Sequence, residues 1–138
     1  MSARFYPAGH ILGARSVLIE TGGVRILFSG DIGRWGMPVL PDPAEAPECD
    51  ILVVESTYGD RRHSEGDPSE ALAEVIRDAA ARHAPVLIPS FAVGRTQDLL
   101  YQIRELEDAG RIPIVPVRAD SPMAAEATRA YLRCAEEH

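Results

Sequence analysis

Three residues able to ligate a metal or move a proton sit where short apolar runs end, each inside a turn that carries glycine. His10 stands in Ala8-Gly9-His10-Ile11-Leu12-Gly13, and Asp31 in Phe28-Ser29-Gly30-Asp31-Ile32-Gly33. Glu55 closes Ile51-Leu52-Val53-Val54 ahead of Ser56-Thr57-Tyr58-Gly59. A strand that delivers an imidazole or a carboxylate to a sheet edge holds it rigidly, as a metal ligand must be held. In layered α/β folds the carboxyl ends of strands converge on one rim, so the three could meet. The chemistry such a set supports is hydrolysis by a metal-activated water. It calls for imidazoles on each ion and a carboxylate bridging two ions about 3.5–4 Å apart. A further carboxylate orients a ligand or shuttles a proton. No cluster of histidines accompanies these residues, so they make part of such a site. Singly, each also has an ordinary use: His10 satisfying loop carbonyls, Asp31 closing an Asx-turn, Glu55 facing solvent or pairing with Arg61 or Arg62.

A second constellation lies in Pro89-Ser90-Phe91-Ala92-Val93-Gly94-Arg95-Thr96-Gln97, between an expected strand and an expected helix. Ser90, Arg95 and the free N–H groups of the helix start could cradle a phosphate. Equally, Ser90 or Thr96 caps the helix and Arg95 pairs locally. The segment lacks the Gly-Lys-Ser/Thr of a nucleotide P-loop, which excludes an NTPase reading. In Asp120-Ser121-Pro122-Met123-Ala124, Ser121 reads as a helix N-cap or a substrate-facing hydroxyl. His63 and His83 read as surface residues, and His138 as the chain end.

The elements that must position these groups follow from periodicity and turn chemistry. Ser16–Glu20 and Val24–Ser29 flank Thr21-Gly22-Gly23 and read as a hairpin. Between Arg34 and Asp50, Pro38, Pro41, Pro43 and Pro47 prevent a helix or a central strand, so an ordered surface loop is expected. Asp50–Glu55 reads as a short strand buried on both faces. Pro68-Ser69-Glu70 opens an amphipathic helix, with Leu72, Val75, Ile76 and Ala79 inward, that ends near His83. Pro85–Pro89 and Pro113–Val117 read as short buried strands. Between them runs a helix over Thr96–Ala109, with Leu99, Leu100, Ile103 and Leu106 inward and Gly110 as its stop. Ser121-Pro122 opens a last helix to about Glu137.

The class is therefore α/β. A β-rich, hairpin-connected part runs to about Tyr58, and then helix and strand alternate, which implies parallel pairing through crossovers. Neither part closes its sheet edges or covers its apolar faces, so the expectation is an internal piece of a larger protein, or a partial reading frame.

Composition sets the outer bounds. A chain of 138 residues with 46% apolar content can bury one core. The net charge is −7 and every basic residue is arginine, which argues against broad adhesion to nucleic acid. A phosphodiester substrate stays open, because bound divalent metals would reverse the local field. Cys49 and Cys134 are isolated, so neither a zinc ribbon nor a disulfide framework is indicated, and free thiols fit a reducing cytoplasm. No signal-like start and no run of about 18 apolar residues point to a membrane.

The order of these segments resembles the metallo-β-lactamase-fold nucleases that carry a β-CASP domain, the group of ribonuclease J and the mRNA 3′-end cleavage factor. Ala8-Gly9-His10 with Gly13 is similar to the third metallo-β-lactamase motif, and Ser29-Gly30-Asp31 to the fourth. Glu55-Ser56-Thr57-Tyr58-Gly59 is similar to the acidic motif that opens the β-CASP part. The segments around Ser90 and Ser121 also look like β-CASP segments. The resemblance implies the later portion of a metallo-β-lactamase αββα sandwich over 1–60. The first half of an inserted parallel-sheet β-CASP domain would follow over 61–138.

It also implies His10 as a zinc ligand, Asp31 as a bridge between two zincs and Glu55 as a supporting catalytic carboxylate. Ser90, Arg95 and Ser121 would then face RNA phosphates. The implied activity is zinc-dependent hydrolysis of RNA phosphodiesters, with a homodimer of the full-length parent admitted. The family's His-x-His-x-Asp-His cluster would lie upstream of Met1, and its later histidines beyond His138. One imidazole and one carboxylate cannot hold two zincs in a closed shell, so the isolated chain is expected to be inactive. Two other readings are a lactone or thioester hydrolase of the same fold and a non-catalytic RNA-processing subunit. The β-CASP-like segments weigh against the first, and His10 and Asp31 against the second.

Overall fold

The computed structural model describes residues 1–62 and 66–134, which hold four strands and three helices. In chain order these are β1 (Ser2–Pro7), β2 (Arg15–Thr21), β3 (Val24–Phe28), β4 (Ile51–Val53), α1 (Pro68–Ala81), α2 (Arg95–Asp108) and α3 (Pro122–Arg133). The described residues divide into two compact units, 1–62 with 133–134, and 66–132.

In the first unit, β2 and β3 form the expected hairpin. Gly22 and Gly23 take φ of 57° and 81°, the left-handed pair that a two-residue turn between right-twisted strands requires. The register sets Leu18 opposite Leu27, and both are buried. The sheet order is β1-β2-β3-β4.

β1 pairs antiparallel with β2 and was not expected from the sequence. In Ser-Ala-Arg-Phe-Tyr-Pro only Ala3 and Phe5 alternate with polar residues, and Phe5 stays 66% exposed, so the strand is fixed by its partner. Across the pair, Glu20 accepts from Ser2 Oγ and from the Arg4 guanidinium, each at 3.0 Å.

β4 pairs parallel with β3, so the first part is not hairpin-connected throughout. Nor is β4 buried: Leu52 and Val53 remain 53% and 48% exposed. It has a neighbour on one side only among the described residues, which leaves an apolar run uncovered. The crossover that a parallel pair demands contains no helix. It is an irregular, proline-braced segment in which Pro43 is buried and the Ala44 N–H donates to Pro7 O at 2.9 Å.

In the second unit, Asp67 caps α1 by accepting the Ser69 N–H at 2.8 Å, with Pro68 in the first turn. α1 buries Ala73, Ile76 and Ala79, whereas Val75, expected inward, is 52% exposed. Consecutive residues on a helix lie about 100° apart, so a stripe centred on Ile76 carries Val75 off its edge. The core is Ala73, Ile76, Ile103, Leu106 and Ile112, with Leu72 and Val115 packed on it. Gly110 follows the end of α2 as expected, and Ser121 Oγ accepts the Ala124 N–H at 3.2 Å, the N-cap read for α3.

Pro85–Pro89 and Pro113–Val117 are not strands. Leu87 and Ile114 stand 88% and 89% exposed instead of buried. An apolar run becomes a strand only where its backbone groups find a neighbouring strand, and the two prolines in each run, Pro85 and Pro89, Pro113 and Pro116, remove donors. The expected helix–strand alternation, and with it a parallel sheet in this unit, is therefore absent among the described residues.

His83 is exposed, as expected. His63, His138 and the expected extension of the last helix to Glu137 lie outside the described residues. Cys49 and Cys134 are free, and among the described residues no helix is long and apolar enough to cross a membrane.

Candidate functional site

His10 sits in a loop that closes on itself before β2. The Ala8 N–H donates to Ala14 O and the Ala14 N–H to Ile11 O, both at 3.0 Å. Asp31 follows β3 in the turn that begins the crossover. The two loops are tied by the Gly33 N–H, which donates to Ala8 O at 2.7 Å. His10 and Asp31 line one shallow concavity together with Ile11, Leu12, Gly13, Ala14 and Arg15. Both are exposed.

Glu55 enters this rim from the end of β4, and its carboxylate is taken up by backbone. One oxygen accepts the Ile32 N–H and the other the Thr57 N–H, each at 3.0 Å. These bonds favour the ionised form and hold the carboxyl below its ordinary range, the Ile32 amide foremost, then Thr57, with a smaller contribution from the charge of His10. Glu55 thus braces the turn that carries Asp31. It does not pair with Arg61, which reaches Asp60 at 3.2 Å and lies over the Tyr58 ring at 5.6 Å.

Behind this rim, Ser29 is buried and joins the ends of β3 and β4. Its Oγ accepts the Glu55 N–H at 3.0 Å and donates to Gly30 O at 2.6 Å, while its own N–H reaches Val53 O at 2.9 Å. Sequence reasoning did not single it out. A buried serine ending an apolar strand was the available signal.

Ser90, Arg95 and Ser121 belong to the other unit. Thr96 Oγ1 donates to Phe91 O at 2.8 Å, so in the 2.9 Å contact between Ser90 Oγ and Thr96 Oγ1 the proton is supplied by Ser90. The Ser90 hydroxyl is thereby committed within its own loop. Arg95 is exposed at the first turn of α2. Beneath it Asp98 is pushed upward by desolvation, with the Arg95 charge opposing.

What joins the start of α2 to α3 is Gln97, also not singled out from the sequence. It is 5% exposed, accepts the Gly94 N–H at 2.8 Å, and donates to Ala92 O at 3.2 Å and to Thr128 Oγ1 at 2.9 Å. A glutamine three residues after the N-cap was its sequence signal.

As a donor set, His10 and Asp31 offer an imidazole nitrogen and a carboxylate, the atoms a zinc takes. The described residues contain no group of three or more side chains able to hold a metal. A zinc shell that included this pair would need further donors.

No family model matches the chain. It is similar to Ribonuclease TTHA0252 of Thermus thermophilus, 36% identical over 134 residues, which are 96% of this chain and 31% of that protein. It is similar to an RNase J-like protein of Methanocaldococcus jannaschii, 35% identical over 133 residues, 94% of this chain and 31% of that protein. It is also similar to Endoribonuclease YSH1 of Gibberella zeae, 42% identical over 104 residues, 72% of this chain and 12% of that protein. The chain spans about a third or less of the length of these curated relatives.

Proposed function

Because this chain belongs, over nearly all of its length, to the β-CASP metallo-β-lactamase family of RNA nucleases, we propose that it forms part of the active site of a zinc-dependent ribonuclease. Residues 1–60 are the later portion of the metallo-β-lactamase domain, and 61–138 open the inserted β-CASP domain. The observation that carries this reading is the meeting of His10 and Asp31 on one concavity, at the end of β3 where the crossover begins. His10 and Asp31 would hold the metal, His10 as a terminal and Asp31 as a bridging ligand. Zinc, when bound, would supply a hydroxide nucleophile near neutral pH. Glu55 holds the Asp31 turn through the Ile32 amide. Arg95 and Ser121 are the groups able to meet an RNA phosphate, since the Ser90 hydroxyl is engaged with Thr96.

Relatives named as ribonucleases favour RNA over a lactone or thioester substrate. The remaining ligands belong to the longer protein of which such a stretch is a part. In a protein of the relatives' length that carries this stretch, Asp31→Ala abolishes RNA cleavage while the circular dichroism spectrum and melting temperature stay close to those of the unaltered protein. Cleavage that survives the substitution removes Asp31 from the bridging position.

A further inference from the structure

The turn that carries Asp31 and the loop that carries His10 meet backbone to backbone, at Gly33 and the Gly9–His10 peptide. A β-carbon at position 33 would overlap the Gly9 carbonyl and stand 2.7 Å from the His10 amide nitrogen. The φ of Gly33 is not positive, so the position demands space and not conformational freedom. The Gly33 N–H to Ala8 O bond, at 2.7 Å, closes the same contact.

Both partners are held from elsewhere. Gly9 lies against buried Pro43, whose Cδ is 2.9 Å from where a Gly9 β-carbon would stand. Ile32, next to Gly33, is bound by Glu55. Neither loop can retreat from an added methyl without breaking one of these contacts.

We infer that Gly33 is a positioning residue, whose missing side chain sets the separation between His10 and Asp31. The inference rests on reading those two residues as a working pair.

In this chain, Gly33→Ala displaces the amide resonances of Gly9, His10 and Asp31 and speeds hydrogen exchange at position 33 by about tenfold or more. Resonances of α1 and α2 stay in place. Leu18→Ala, which costs stability from the core of the same sheet, leaves the loop resonances unmoved. In a protein of the relatives' length, Gly33→Ala weakens zinc binding by about tenfold or more, and Leu18→Ala does not.

Unmoved loop resonances in Gly33→Ala overturn the inference. Displaced resonances with unchanged zinc affinity also overturn it when His10→Ala and Asp31→Ala do weaken binding. If those two variants leave the affinity unchanged as well, the pair reading fails first and the inference falls with it. Should Gly33→Ala not fold, hydrogen exchange at Gly33 in the unaltered chain decides. Slow exchange supports the tied loops, and exchange at the rate of an unstructured chain overturns them.

Discussion

Both carboxylate oxygens of Glu55 accept backbone N–H groups, one from Ile32 beside Asp31 and one from Thr57. The carboxyl is held below its ordinary value of 4.5 by those bonds, Ile32 first. A depressed folded-state pKa means that the stabilisation is complete above about pH 4.5, the ordinary value, and is lost as pH falls through the lowered one. Glu55→Gln is therefore expected to lower the melting temperature of the first unit at pH 7 and to flatten its decline on acidification. Trp35, the chain's single tryptophan, lies in that unit, and its fluorescence can follow the transition from pH 7 to pH 3. An unchanged acid limb would mean that the Ile32 bond does not hold in solution. The sequence marked His10, Asp31 and Glu55 because their residue types and turn positions are local facts. It did not show that Glu55 serves the backbone, since Ile32 becomes its partner only when β3 and β4 pair. Gly33 was hidden for the same reason, because a close approach of two loops leaves no periodic trace.

At the scale of elements, the helices were legible and several strands were not. A helix satisfies its own backbone, so Pro68-Ser69-Glu70 and Ser121-Pro122 announce their helices whatever lies alongside. Strands depend on neighbours. The apolar runs at 51–55, 85–89 and 113–117 look alike in sequence, yet only Ile51–Val53 pairs, with β3. β1 has the opposite history, a strand with only Ala3 and Phe5 for a pattern that β2 recruits. Gln97 does for α2 and α3 what a ladder does for strands. It is buried and bonded to Gly94, Ala92 and Thr128. Gln97→Ala leaves those groups unpaired in a closed space, at about 1–3 kcal/mol for each one left buried and unsatisfied. Urea denaturation followed by far-ultraviolet circular dichroism should show a loss of that order. A loss below about 0.5 kcal/mol, the size expected of an exposed substitution, would mean that Gln97 does not join the two helices.

Taken whole, the chain carries a net charge of −7 and two metal-type donors at its rim. Calorimetric titration of this chain with zinc should show no tight two-zinc binding, and incubation with RNA should show no cleavage. Stoichiometric uptake of two zincs would mean that donors other than His10 and Asp31 complete the shell. What was legible at this scale was the order of the motifs, which named the family before any geometry was known. That order could not reveal how the apolar runs are covered, because burial depends on polypeptide brought alongside.

The Gly22–Gly23 turn has a practical consequence. It lies at the end of β2 and β3 remote from Arg15 and Phe28, and nothing stands within 4 Å of where its side chains would be. β2 is seven residues long, which at about 3.4 Å per residue puts the turn roughly 20 Å from the exit of the His10 loop. A longer peptide loop grafted in place of the two-residue turn, which avoids putting a side chain on its left-handed backbone, would tether or report on the molecule without crowding the rim where His10 and Asp31 meet.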